Sequence, residues 1–185
     1  MADPSIRILM FDNEFPPLGG GTGIVNYHFF RVWAKRADVT VDLVTAHAGA
    51  TETEVKTEFF SERIRLIKVP VDNQNPHHAR NGELVRYTRR ARVEAKRLLA
   101  ENDYDVTFSF SAVPAGVLSW WFKRRAGLPY IVSLEGADIP GFEARYNWLY
   151  PFLMPILRPV YKGAGFITAI SHEQWVLANK FLPDL

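Results

Sequence analysis

Apolar and polar positions follow two spacings that alternate along the chain. Short runs of apolar and β-branched residues predict six strands, at residues 6–11, 39–45, 64–69, 105–110, 129–134 and 165–170. Between them, apolar residues recur at helical spacing, which predicts helices over residues 24–34, 82–101, 115–125, a proline-punctuated region at 145–161, and a last helix capped by Ser171. The polar stretch 49–62 is predicted to be a loop or an irregular element.

The alternation of strands and helices predicts an α/β fold. Because parallel strands need helical crossovers, and crossovers are right-handed, we expect one doubly wound, mostly parallel Rossmann-like sheet with helices on both faces, over residues 1–185. In such sheets ligands bind where the strands end at their carboxyl side. This rule directs attention to three loops, at residues 12–23, 109–114 and 135–141.

Composition narrows the functional classes. The 185 residues include no cysteine, which excludes a disulfide framework, cysteine-ligated zinc and thiol catalysis. The net charge is only +2, too weak to indicate nucleic-acid binding. No secretory signal and no apolar stretch of membrane-spanning length is found. We therefore expect a soluble, cytoplasmic protein.

One predicted helix is strongly basic. From Arg80 to Arg97 the chain has seven basic and two acidic residues. At 100° per residue the apolar side chains share one arc, and the opposite arc carries Arg86, Arg89, Arg90, Lys96 and Arg97. One interpretation is a solvated helix face. The other is that these basic residues make peripheral contact with the anionic inner face of a membrane. Attraction to the membrane would then contribute about 1 kcal/mol of binding free energy per basic residue.

A glycine-rich loop, Gly19–Gly23, lies between the first predicted strand and helix. Glycines let the backbone approach a ligand closely, and the following helix start favours phosphate. The dinucleotide fingerprint G-x-G-x-x-G is not met, because its third glycine position falls on Ile24 or Asn26. A phosphate-binding P-loop is not met either, since no Gly-Lys-Ser/Thr follows. A flexible turn without ligand is the alternative.

The loop after the fifth predicted strand carries two carboxylates, Glu135 and Asp138, on either side of Gly136. Carboxylates at this side of the sheet suit a general base or a sugar-hydroxyl contact, and Gly136 permits close approach. The alternative is that Asp138 caps the following turn and Glu135 is solvated. The histidines show no ligand spacing and no Asp-x-Asp motif occurs, so no metal site is predicted.

Four segments together carry a resemblance. The opening Ile6–Gly23, then Asp105–Gly116, Leu128–Asp138 with its G-x-D segment, and Gly165–Ser171 resemble, in type and order, the N-terminal domain of family 4 (group 1) retaining glycosyltransferases. Enzymes of this family have the GT-B architecture, in which two Rossmann-like domains face a cleft.

The resemblance implies transfer of a sugar from a nucleotide-diphosphate donor to a sugar or lipid-linked acceptor hydroxyl, with retained configuration and no bound metal or cofactor. Glu135 and Asp138 would hydrogen-bond sugar or acceptor hydroxyls at the reaction centre, and Ser171 would line the cleft floor. The residues implied to lie under the donor diphosphate or the acceptor are Gly20, Gly21, Thr22 and Gly23.

Two departures from the family pattern matter. Many relatives have histidine where this chain has Glu135. The chain also stops at Leu185, before the family's nucleotide-binding second domain, so we expect an N-terminal fragment that folds but does not transfer sugar alone. Two alternatives remain: a non-catalytic Rossmann-like module for a sugar phosphate or nucleotide, and a dinucleotide-dependent oxidoreductase, which the unmet fingerprint disfavours.

Overall fold

A computed structural model describes residues 5–47, 49, 53–73, 75–77 and 79–181, without the side chain of Arg145. The described residues fall into two compact units that divide between Thr107 and Phe108. This part of the chain contains seven strands and five α-helices. All six predicted strands are present, and their order along the chain is as expected.

Three parallel strands form the centre of the first unit. The strand β2 pairs with β1 on one side, where Ile8 lies opposite Val41, and with β4 on the other. Their bounds are Ile6–Phe11 for β1, Val39–Ala46 for β2 and Ile64–Val69 for β4. Because most β2 side chains are buried, its near-continuous apolar sequence is what a parallel strand covered on both faces requires.

A further strand, β3 (Lys56–Ser61), was not expected from the sequence. It pairs antiparallel with β4, with a register shift between Phe59 and Ser61. The prediction of a loop or an irregular element over residues 49–62 is therefore wrong for these six residues. Most of the β3 side chains are exposed or half-buried, so backbone pairing with β4 rather than burial forms the strand, and its polar sequence gives no strand signal.

Two helices complete the first unit, α1 (Gly21–Trp33) and α2 (Asn81–Glu101). The start of α1 lies within the glycine loop, three residues earlier than expected. The buried face of α2 includes Tyr87, whose hydroxyl donates to the backbone oxygen of Val44 in β2 at 2.8 Å. The apolar arc of α2 thus packs towards the sheet, as its periodicity predicts.

The second unit begins within the strand β5 (Val106–Phe110), since the division falls between its second and third residues. Strands β6 and β7 of this unit pair in parallel. The later elements are a kinked turn at Ser111–Gly116, α3 at Val117–Ala126, β6 at Tyr130–Leu134, a short 3-10 helix at Ala144–Tyr146, α4 at Tyr150–Gly163, β7 at Phe166–Ala169 and α5 at His172–Phe181.

The core of the second unit joins β6 to α4. Tyr130, Val132 and Leu134 of β6 are buried with Leu157 and Val160 of α4. Of the four pairings described above, that of β3 with β4 is antiparallel and the other three are parallel. The expected α/β Rossmann-like fold with mostly parallel strands is therefore confirmed. Over the residues described, no helix combines the length and apolar character needed to cross a bilayer.

Candidate functional site

The glycine loop of the first unit is organised around the carboxylate of Glu14. One oxygen of this carboxylate, Oε2, accepts the backbone N–H of Gly20 at 2.8 Å and the hydroxyl of Thr22 at 2.9 Å. Both donors belong to the start of α1, where helix N–H groups have no partner within the helix. Glu14 therefore caps this helix start, a role that the sequence analysis did not assign to it.

The four predicted ligand-contact residues of the loop differ in their surroundings. Gly20 and Gly21 are exposed, and a Cβ atom placed on either would meet no atom within 4 Å. Gly23 is buried, and its Cβ would lie 3.1 Å from the backbone oxygen of Leu18. Gly20 and Gly21 are thus open to an approaching ligand, whereas Gly23 is a glycine because the loop packs against it. Thr22 is half-buried.

In the second unit, Asp138 ties two loops together. Its carboxylate accepts the N–H of Ala112, after β5, at 2.8 Å and the N–H groups of Glu135 and Gly136, after β6, at 3.1 Å each. The hydroxyl of Tyr161 in α4 donates to the same carboxylate at 3.2 Å. With only 6% of Asp138 exposed, the enclosed carboxylate fixes the backbone of both loops.

Burial also sets the protonation behaviour of this cluster. Desolvation raises the pKa of Asp138 above its ordinary value of 3.8, although its hydrogen bonds from Ala112, Glu135 and Tyr161 act in the opposite direction. The pKa of Tyr161 is raised well above its ordinary value, first by burial and then by the charge of Asp138. Tyr161 therefore remains a hydrogen-bond donor at neutral pH.

Two residues in the same loops have positive φ angles. Gly136 has φ +113°, which is open mainly to glycine. Ser111, directly after β5, has φ +68°, an uncommon value for a residue with a side chain. Such strain is maintained only where the surroundings enforce it, and it concentrates at functional sites. The composition around Ser111 gives no signal of this, so the sequence analysis did not select the residue.

The predicted site residues thus fall into two groups. Gly20, Gly21, Thr22 and Gly23 belong to the first unit. In the second, hydrogen bonds to the Asp138 carboxylate join Glu135, Gly136 and Asp138, and Glu135 is half-buried. Ser171 is exposed, and its hydroxyl accepts the N–H of Gln174 at 3.2 Å as the predicted cap of α5. Within the described ranges, no three His, Cys, Asp or Glu side chains are grouped so that they could hold a metal ion.

The basic face of α2 is partly neutralised by its neighbours. Arg97 pairs with Glu94 at 3.0 Å and with Glu101 at 2.7 Å. Arg86 donates to the backbone oxygen of Val71 at 2.9 Å and lies 3.5 Å from the carboxylate of Asp72. All the predicted membrane-contact residues, including Arg89, Arg90 and Lys96, are exposed.

Comparison with solved structures identifies the fold. Sucrose-phosphate synthase from Thermosynechococcus elongatus superposes with a TM-score of 0.73 at 14% identity, over 95% of this chain and 45% of that one. The α,α-trehalose-phosphate synthase (UDP-forming) from Burkholderia xenovorans gives 0.62 at 12% identity, over 96% and 43%. UGT2 from Phytolacca americana gives 0.55 at 11%, over 100% and 52%. The chain therefore has the Rossmann-like fold found in GT-B glycosyltransferases, and it spans about half the length of these three structures.

The sequence itself identifies the family. Residues 20–175 match the family described as the glycosyl transferase 4-like domain. The chain belongs to this family, and the resemblance drawn from its four segments is confirmed. No curated protein sequence matches the chain.

Proposed function

We propose that the chain is the N-terminal domain of a retaining glycosyltransferase, which transfers a sugar from a nucleotide-diphosphate donor to an acceptor hydroxyl. The observation that carries the proposal is the loop after β6, where a buried Asp138 presents Glu135 and Gly136 at the carboxyl end of the strand. Family membership over residues 20–175 supports the reaction class. The retained configuration and the donor class come from the resemblance stated above.

The proposed roles follow from exposure and hydrogen bonding. Glu135, which is half-buried, contacts a hydroxyl of the sugar or acceptor near the reaction centre. Asp138 acts through the backbone that it holds, because its carboxylate is enclosed. Gly136 gives the loop the backbone conformation that this arrangement needs. Preorganised groups of this kind lower the barrier because no reorganisation is needed as the reaction proceeds.

Ligand approach in the first unit is assigned to Gly20 and Gly21. A Cβ atom at either position meets no atom of the described protein within 4 Å, so the space in front of them is available to a substrate. Thr22 and Gly23 shape the helix start behind them, and Ser171 is proposed to line the cleft. The remaining partners that we propose are a sugar or lipid-linked acceptor and a C-terminal domain that holds the nucleotide.

The experiment compares two glycine variants in a longer protein that includes such a second domain. Gly21→Val should lower kcat/KM at least tenfold while leaving the fold intact, because valine fits the free protein and blocks the ligand. Gly82→Val is the matched control, since Gly82 lies in the first turn of α2 with equally open surroundings. Equal turnover of both variants and the unmodified protein would contradict the proposed approach to the loop.

A second experiment tests the 185-residue chain alone. We expect it to fold but to show no sugar transfer, and calorimetry should give donor dissociation constants in the millimolar range or weaker, because few contacts are available. Tight donor binding or turnover by this chain would show that it does not need a second domain.

Peripheral membrane contact through the basic face of α2 is a separate part of the proposal. Exposed Arg89 and Arg90 supply the attraction, while Arg97 is already paired with two glutamates. Co-sedimentation with anionic vesicles should be seen at low salt and lost at high salt. Arg89→Glu should weaken it more than Arg97→Glu. The absence of sedimentation at low salt would exclude this contact.

A further inference from the structure

The outer side of α4 carries an apolar strip. Phe152 and Ile156 lie four residues apart on one face of the helix, and Trp148 lies just before the helix. These three side chains are 72%, 43% and 69% exposed, in that order. On the inner side, Leu157 and Tyr161 already belong to the buried core of this unit. The apolar strip therefore takes no part in the core, and exposed apolar surface of this kind marks an interaction site.

Basic side chains border the apolar strip. The helices α3 and α4 contain five lysine and arginine residues and no aspartate or glutamate. In α4 itself, Arg158 is exposed. At the end of α3, the ammonium group of Lys123 donates to the backbone oxygen of Gly163, the last residue of α4, at 3.0 Å. The next residue, Arg124, is exposed and stacks over the ring of Trp120. Positive charge therefore lies along α4 and at its end.

We infer that this surface, made of the apolar strip with Lys123, Arg124 and Arg158, lies against an anionic lipid bilayer. Interfacial helices place aromatic and aliphatic side chains at the boundary between headgroups and acyl chains, and they keep arginine and lysine beside the lipid phosphates. Tryptophan favours this depth because its ring is apolar and its N–H is polar. The inference goes beyond sugar transfer, and it does not depend on the membrane contact proposed for α2.

The length and charge of these helices favour lipid over a protein partner. The 14 residues of α4 extend about 21 Å at roughly 1.5 Å per residue, which is too short to cross a bilayer but long enough to lie along its surface. Pro151 and Pro155 are also exposed, and they add apolar area without a backbone N–H. An anionic lipid surface is negative throughout, so it is matched by two helices that carry basic residues and no acidic ones.

The test measures binding of the 185-residue chain at low salt to vesicles made of equal parts phosphatidylglycerol and phosphatidylcholine. Phe152→Glu should weaken binding about tenfold or more, because it removes an inserted ring and adds repulsion from the lipid. Val32→Glu is the matched control: Val32 is 61% exposed in α1 of the first unit, and its substitution changes the charge equally. Its affinity should stay within about twofold of that of the unmodified chain.

A second measurement tests insertion directly, by quenching of tryptophan fluorescence in the same vesicles with lipids brominated on their acyl chains. The chain has five tryptophans, so single substitutions separate their contributions. Quenching should fall in Trp148→Phe and stay unchanged in Trp33→Phe, at the end of α1. Phe152 lies in the first turn of α4, where glutamate is favourable. All variants should therefore fold, which circular dichroism and thermal unfolding check.

Equal vesicle affinity of Phe152→Glu and the unmodified chain, whether strong or undetectable, would overturn the inference. So would equal losses in Phe152→Glu and Val32→Glu, because the effect would then be one of net charge, and so would unchanged quenching in Trp148→Phe. Insertion that is lost in a longer protein with a second domain would also overturn it, since α4 would then be a domain interface. Failure of the α2 contact is distinct, because it appears as unchanged affinity in Arg89→Glu.

Discussion

Each unit of the chain uses a carboxylate to hold backbone N–H groups at a loop, but the two carboxylates differ in burial. Glu14 in the first unit is half-buried and binds the exposed N–H of Gly20. Asp138 in the second unit is enclosed and binds N–H groups from two loops together with the hydroxyl of Tyr161. The same hydrogen-bonding chemistry thus gives a releasable contact in one unit and a permanent one in the other.

The difference follows from what replaces the carboxylate when it is removed. Water can reach Gly20, so loss of Glu14 exchanges one hydrogen bond for another, at a net cost of about 1 kcal/mol or less. Water cannot readily reach the donors around Asp138, and each buried donor without a partner costs about 1–3 kcal/mol. The burial of the donors, more than the number of hydrogen bonds, distinguishes a structural carboxylate from a displaceable one.

The largest effect should come from Asp138→Ala. It leaves the N–H groups of Ala112, Glu135 and Gly136 without their acceptor, and we expect the free energy of unfolding to fall by about 3 kcal/mol or more. Urea unfolding followed by tryptophan fluorescence measures this change. A loss below about 1 kcal/mol would show that water reaches these donors, and the contrast with Glu14 would then disappear.

The next effect should come from Gly136→Ala. The backbone there has φ +113°, and the new Cβ would lie 2.6 Å from the ring of Phe142. The ring is partly exposed and can move, so backbone strain is the main cost, which we expect to be about 2 kcal/mol. Gly127→Ala, at φ +72° with open surroundings, should cost less, about 1 kcal/mol. The ranking is checked in one set of urea titrations, and the opposite order would contradict it.

Stability measured at several pH values tests whether burial raises the pKa of the enclosed Asp138 carboxylate. Because burial raises the folded-state pKa of Asp138 above 3.8, the folded protein keeps this proton at pH values where the unfolded chain has released it. The stability contributed by the group is then fully present below about pH 4 and is lost as the pH rises through the folded pKa. The stability difference between the unmodified chain and Asp138→Asn should therefore be largest at acid pH and shrink towards neutrality.

The control for this series is Glu101→Gln, which removes an exposed carboxylate of α2. Urea titrations at several pH values provide the measurement. A difference between the unmodified chain and Asp138→Asn that grows towards neutral pH would mean that hydrogen bonding outweighs desolvation at Asp138.

The smallest effect should come from Glu14→Ala. We expect the free energy of unfolding to fall by no more than about 1 kcal/mol, the usual range for an exposed helix cap. Thermal and urea unfolding beside Asp138→Ala provide the comparison. A loss near that of Asp138→Ala would show that Glu14 is structural and cannot serve as a displaceable group.

Much of this architecture could be predicted from the sequence because its main elements are strongly periodic. The bounds of β1 and β4 agree with the prediction, and those of α2 differ by a single residue. The loop after β6 was also selected, since carboxylates at the carboxyl end of a strand are an informative pattern. Helix α1 starts earlier than predicted because two of its first three residues are glycines, whose low helix propensity gives no sign of a helix start.

The roles of individual carboxylates could not be predicted in the same way. The sequence shows Glu14 five residues before Gly19, but only the folded loop brings its carboxylate to Gly20. The carboxylate of Asp138 accepts a hydrogen bond from Tyr161, which lies in another element and is distant along the chain. The strain at Ser111 likewise results from its folded surroundings. Such contacts are set by tertiary structure, which local patterns do not encode.

The unexpected strand β3 has a consequence for how the first unit meets other molecules. It occupies the outer margin of the strand order in that unit, beyond β4, and a row of free backbone groups at such a margin can pair with a strand of another chain. The exposed charged side chains of Lys56 and Glu58 and the bulge between Phe59 and Ser61 are features that discourage such pairing. The polar residues that concealed β3 in the sequence are therefore suited to a strand at the margin of a sheet.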